Sequence, residues 1–439
     1  MKRKNLRGWA FSVLAMVSII ACDNGDDDGD GNVGREGELP NGTEIVGDIT
    51  KNTILAKGNT YTLRGGVHVS GGATLTIEEG VTVKAITNSK TDYANTAYLL
   101  VEPGSKIDAV GTASAPIVFT SNAATPAPQD WGGIILCGKA PINPQGGTAP
   151  SEMGAGVVYG GTNAADNSGT LKYVRVEYTG KKQDASKEHN GFTFEGVGNG
   201  TTLEYLAVYK GADDGIEFFG GTVNIKYAVV NGAQDDLFDW TYGWSGNAQF
   251  LVGIQGDDVA DRGIEADNNG DNNGLSPLSS PTLSNVTLVG SREAKTNDNP
   301  DAATDADKGK TIGLKLRAGT GGKLYNFVVY GFNNGVDIQH DITVGNALDG
   351  KLVFANSDLY GPKPFKSSLA TLVQDAFFKT TVTVSADDKP SYMNGYIGTT
   401  ATGAVNPSTL NAFFTGGNYK GAVETGNNWV AQGTWVRLQ

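Results

Sequence analysis

The chain has 439 residues, a formal net charge of -13, 62 glycines and two cysteines. That acidity excludes nucleic acid and charge-recognised anionic lipid as partners, since both demand basic patches, and favours cations or neutral and cationic ligands. The length allows a core large enough to stand without disulfides.

Lys2, Arg3, Lys4 and Arg7 precede an apolar stretch from Trp9 to Ala21. A basic flank followed by a short apolar run is a secretory signal peptide, here residues 1–21, and not a transmembrane helix, which needs roughly 20 apolar residues. The stretch ends in Ile19-Ile20-Ala21-Cys22, with a small residue just before the cysteine, and so resembles the lipobox of bacterial lipoproteins. The resemblance implies that Cys22 carries acyl chains, palmitate among them, and becomes the mature N-terminus. Cys137 is then left without a disulfide partner. Two or three acyl chains anchor a protein stably, at about 0.8 kcal/mol per buried methylene.

Residues 22–42 are expected to be the lipidated cysteine and an acidic, flexible linker. The run Asp23-Asn24-Gly25-Asp26-Asp27-Asp28-Gly29-Asp30 repels itself and can bury nothing. Its plain role is a solvated spacer. It is also similar to the acidic export signal that follows the lipidated cysteine of Bacteroidota surface lipoproteins, which implies a lipid-anchored place on the outside of the cell outer membrane. A calcium loop is a third reading, although the spacing lacks the terminal Glu of an EF-hand.

Residues 43–439 are expected to form one folded domain. Alternating runs broken by glycine, such as Ala73 to Lys84, read as strands, and long helical periodicity is nearly absent. A repeat follows downstream. Leu206 to Phe218 aligns with Tyr227 to Trp240 at a shift of about 22 residues, and Gly263-Ile264-Glu265, Gly313-Leu314-Lys315 and Gly335-Val336-Asp337 continue the phase, with Gly191-Phe192-Thr193 upstream. Each copy is a short strand with one apolar face. Stacked one above the next, such strands bury each other's rungs in a parallel β-helix. The inward rungs are expected to be Phe192, Ile216, Phe238, Ile264, Leu314 and Val336, then Phe194, Phe218, Trp240, Ala266, Leu316 and Ile338.

The upstream wording Gly111-Thr112, Pro116-Ile117-Val118-Phe119-Thr120 and Trp131-Gly132-Gly133-Ile134 resembles the pectin lyase-like right-handed β-helix superfamily over about residues 43 to 340. The resemblance implies the all-β solenoid and its right hand, and says little about activity. Insertions are expected near 138–170, 268–282 and 291–310. Ser367 to Phe378 has apolar residues at helical spacing, and the tail with Trp429 and Trp435 is expected to cap the last coil.

The same alignment names the outward column Thr193, Glu217, Asp239, Glu265, Lys315, Asp337, with Phe219, Asp267 and Arg317 beside it. Neighbouring strands lie about 4.8 Å apart, so three acids stack one rung apart. Asp213, Asp214, Asp235, Asp236 and Asp261 form a second acidic column at the coil corners. Carboxylates this close raise one another's pKa or hold a cation, and hard oxygen ligands suit calcium. Turn chemistry alone also explains Asp-Asp-Gly at a corner, but not acids in mid-strand. Phe219, Tyr242 and Trp244 offer aromatic platforms for sugar rings, or pack beneath an insertion. Enzymes of the superfamily act on acidic polysaccharides by calcium-assisted elimination with a Lys or Arg base, or by hydrolysis with paired carboxylates. Asp239, Glu265, Asp267, Lys315 and Arg317 would supply such a set. The hydrolases' His-containing motif is missing, and His68, His189 and His340 are scattered.

Three functions remain open. The first is a surface lipoprotein that binds a polysaccharide or another extracellular ligand with calcium. The second is a polysaccharide lyase or glycoside hydrolase. The third is a structural or adhesive protein accessory to an outer-membrane transporter.

Overall fold

The structure is a computed structural model that describes residues 35–154, 156–184, 187–296, 309–378 and 381–438. The signal peptide, Cys22 and the Asp-rich run lie outside the described residues. Residues from Gly37 onward form one compact unit.

That unit is a right-handed parallel β-helix whose coils contribute three rows of strands. Two rows merge into a 17-stranded sheet and the third is a separate 10-stranded sheet. The merging has a local cause. The strands Gly169–Glu177, Thr202–Tyr209, Asn224–Asn231, Asn247–Ile254, Thr282–Val289 and Gly322–Tyr330 each turn a corner partway along. The corner residues all have positive φ and lie one above another: Tyr173, Tyr205, Tyr227 and Phe250, then Asn285 and Asn326. Tyr and Phe rarely adopt that conformation. Their rings stack at 4.2, 4.5 and 4.9 Å between centroids, which offsets the strain.

The third row carries the repeat read from the sequence. Ile216 pairs with Phe238, Phe238 with Ile264, Ile264 with Leu314 and Leu314 with Val336, in parallel register. Every expected inward rung is buried. The glycine before each strand is required by close approach. A Cβ on Gly215 would lie 2.3 Å from a methyl of Val230. Where Leu237 replaces that glycine, the second row supplies Gly253 in the position of Val230 and Leu288, and the leucine side chain takes the space left.

Two expectations need correction. The first paired strand is Glu38–Leu39, which joins Thr53–Leu55 from within the stretch read as linker. The tail does not cap the last coil. The cap is the short helix Gln374–Phe378 with Leu372, where Phe378 packs 5.8 Å from Phe354 and 5.4 Å from Phe365. The tail instead runs back along the outside of the second row. Asn326 donates to the Val405 carbonyl, Asn285 to those of Gly417 and Tyr419, Asn231 to that of Leu438 and Arg175 to that of Thr434. Trp429 and Trp435 close over Ala207, Val229, Val252 and the ring stack. The second row is thus apolar on both faces because both faces are covered.

Candidate functional site

On the outer face of the third row, Thr193, Glu217, Asp239, Glu265, Lys315 and Asp337 stand in register, as the alignment requires. The corner acids approach them from the turn that precedes each strand. Among the described residues three overlapping groups result: Asp213, Asp214 and Asp235; Asp214, Glu217 and Asp239; Asp236, Asp239 and Glu265. In each, one oxygen per carboxylate lies within 4.8 Å of the others.

The face is electrically divided. At one end Arg317 binds Glu265 at 2.6 Å and Asp267 at 2.8 Å, and Lys315 binds Glu265 at 3.2 Å. Asp261 pairs with its neighbour Arg262. Burial opposes ionisation of Glu265, yet Arg317, Lys315 and Arg262 hold its pKa below the ordinary value. Asp267 is pushed up to about 6 by burial, with Arg317 opposing. At the other end carboxylates outnumber cations, with Lys182 acting on Asp213, Arg262 on Asp236 and Arg317 on Asp239 only from outside the cluster. Asp213, Asp214, Glu217, Asp236 and Asp239 are all pushed well above their ordinary values, by burial first and by the charge of a neighbouring carboxylate second. Asp235 is pushed up to about 6, by burial and then by Glu265.

Part of this arrangement is corner architecture, since the backbone N–H of Asp236 donates to Asp214 Oδ1 at 3.0 Å. Asn190 likewise donates to Glu217 at 2.6 Å. Two ladder oxygens are unsatisfied. Asp236 is 4% exposed, and its Oδ1 and that of Asp239 are buried without a hydrogen-bond partner. Buried carboxylate oxygens in that condition cost free energy unless a proton or a cation meets them.

The aromatic residues divide between the two readings, except for Trp244, which follows neither. Trp244 is 1% exposed in the main core, stacked on Phe218 at 4.0 Å, with its indole N–H donating to the Val223 carbonyl. Phe219 is buried against Ile142, Met153, Val157 and Tyr159 of the insertion that crosses this face as the hairpin Thr148–Pro150 and Val158–Gly160. Neither is a sugar platform: Trp244 points into the solenoid, and Phe219 is roofed over. Tyr242 alone of the three lines a groove, about 500 Å³, with Gln145, Asn269, Asp271 and Asn272. Its two walls are the insertions after residues 138 and 268, joined where Asn143 donates to Asn268 and accepts from Asn269.

Sequence reasoning missed Glu152. This insertion residue feels the charge of Glu195 and is pushed up to about 8 by burial and that charge. Its N–H donates to Glu195, whose strand stacks on that of Glu217, and its charge raises Glu217 and Asp213. An insertion has no repeat phase, so no column signalled it. Glu195 is fully buried, accepting from the Glu152 N–H and from the Cys137 thiol.

The architecture is that of a parallel β-helix with a chemically specialised lateral face. The chain belongs to the pectate-lyase-like β-helix domain family, whose model matches residues 47–395. No curated protein and no solved structure matches it.

Proposed function

We propose that this protein binds an extracellular polysaccharide along the third-row face, with a calcium ion held in the acid ladder, as a lipoprotein anchored through Cys22 on the outside of the outer membrane. One observation carries the reading. Overlapping carboxylate groups include buried oxygens of Asp236 and Asp239 that nothing else satisfies. The donor set is all hard oxygen, which suits calcium, and its adaptable coordination tolerates a ladder better than magnesium's strict octahedron does. Asp214, Asp236, Asp239, Glu217 and Glu265 would hold the ion, which would supply positive charge for a glycan's oxygens. The groove at Tyr242 adjoins the ladder, because the Tyr242 ring packs 5.7 Å from that of Phe219, which shares a strand with Glu217.

Elimination is the weaker alternative, because its candidate bases Lys315 and Arg317 are already engaged by Glu265 and Asp267. Hydrolysis keeps one favourable feature. Asp239 and Glu265 lie within reach of each other with pKa values pushed apart, the condition for an acid and a base in one site. Incubating the full chain with plant and algal polysaccharides tests both readings. Gel retardation that requires calcium, with no new reducing ends or unsaturated products, supports binding. Product formation lost in Asp239→Asn replaces it with catalysis.

A further inference from the structure

A second groove of about 770 Å³ lies away from the acid ladder, between the end of the second row and the returning tail. Its floor is the register Tyr209, Asn231, Ile254, Val289, four successive rungs of one column. Three rung spacings make it about 14 Å long. Tyr396 and Leu438 of the tail form the opposite wall.

Its polar groups are mostly engaged: Lys210 lies over the Tyr209 ring at the rim, and Asn231 donates to the tail carbonyls of Arg437 and Leu438. Gln255 is 5% exposed, and its side-chain Oε1 accepts from the Ser291 N–H at 3.0 Å. That contact pins the amide and leaves Nε2 buried in the groove wall without a partner. Asp257 accepts from the Ser291 hydroxyl at 3.0 Å and stays exposed at the rim beside Asp258. Tyr396 is held through its hydroxyl, which accepts from Asn428 at 3.2 Å. An amide N–H ligates no cation, and with Lys210 set against Asp257 and Asp258 the rim has no surplus positive charge to draw an anionic chain. A rigid aromatic, one anchored donor and flanking acceptors on a partly apolar floor are what a hydroxyl-rich chain requires.

We infer that this groove is a second glycan site, one that takes a short neutral oligosaccharide without calcium. It is independent of the ladder and does not rest on the reading given above. Its recognition element is the Gln255 donor, and the tail forms half of it, so the tail is part of a binding surface as well as a cover.

The test is calorimetric titration of the full chain with linear gluco-, manno- and xylo-oligosaccharides in EGTA. At least one series is expected to bind, with Kd raised roughly ten-fold in Gln255→Glu, which keeps the acceptor for Ser291 but replaces the donor. Tyr396→Ala is expected to weaken binding similarly, and Asp239→Asn to leave it unchanged. Tyr396 lies on the tail, so its variant decides the matter even if Gln255→Glu melts early. The inference is overturned if no series binds, if binding disappears in EGTA, or if natively melting variants bind undiminished.

Discussion

Titrating the ladder with protons and calcium together exposes its energetics. Asp235 and Asp267 have folded pKa values of about 6 against an ordinary 3.8, a rise of about 2 units. Each unit is worth about 1.4 kcal/mol, so one such group contributes about 3 kcal/mol. Because the folded pKa is raised, that stability is fully present below about pH 4 and is lost as pH rises through about 6. The acids pushed still higher extend the loss toward neutrality. A domain of about 400 residues has an unfolding entropy near 0.8 kcal/mol/K, so one group shifts Tm by about 3–4 °C. Calcium acts oppositely, since it needs the ionised oxygens and competes with protons. At 100 times Kd it restores about 2.7 kcal/mol, again about 3 °C. Scanning calorimetry from pH 5 to pH 8 should therefore give a falling Tm in EGTA, a flatter one in calcium, and a gap that opens with pH. A gap that is absent at pH 8, or that closes as pH rises, would refute the reasoning.

Other consequences are more local. Asp236→Asn removes a buried carboxylate whose Oδ1 has no hydrogen-bond partner and whose ionisation burial and its acidic neighbours oppose more than Arg262 favours, so in EGTA at pH 8 it should melt no lower than the parent, while losing the calcium increment. Arg317→Met strands Glu265 and Asp267, and urea unfolding should report a loss of about 3–5 kcal/mol, largest above pH 6. Trp435→Ala should cost about 3–5 kcal/mol and free the tail for proteolysis, since the indole edge packs on the Tyr173 and Tyr205 rings. Metabolic labelling with palmitate should mark the wild type, and Cys22→Ala should be unlabelled and released from membranes.

The third row was legible because its period survives. Apolar residues two apart after a glycine define inward rungs, and the residues between them must then stack outward, so Glu217, Asp239 and Glu265 could be placed in one column without coordinates. Of the aromatics, Trp244 alone fell outside both readings. It lies past the strand that ends at Thr241, where the chain leaves the period and alternation no longer says which way a side chain points. The role of the tail was written in the sequence but not in the repeat. Leu206-Ala207-Val208, Ala228-Val229-Val230 and Leu251-Val252-Gly253 are apolar on both faces, which implies a cover over the outside. The tyrosines at 205 and 227 share the repeat's spacing, yet positive φ at a tyrosine is too rare to be expected from sequence. Glu152 and the Asn143–Asn268 junction belong to insertions, whose position over the site depends on contacts more than a hundred residues apart.

Affinity electrophoresis of the wild type and Asp239→Asn, in gels cast with an acidic polysaccharide and either calcium or EGTA, tests the ladder directly. Retardation of the wild type in calcium alone, lost in the variant, is the predicted result. Equal retardation of both proteins, or retardation that persists in EGTA, would contradict a calcium-loaded ladder as the binding face.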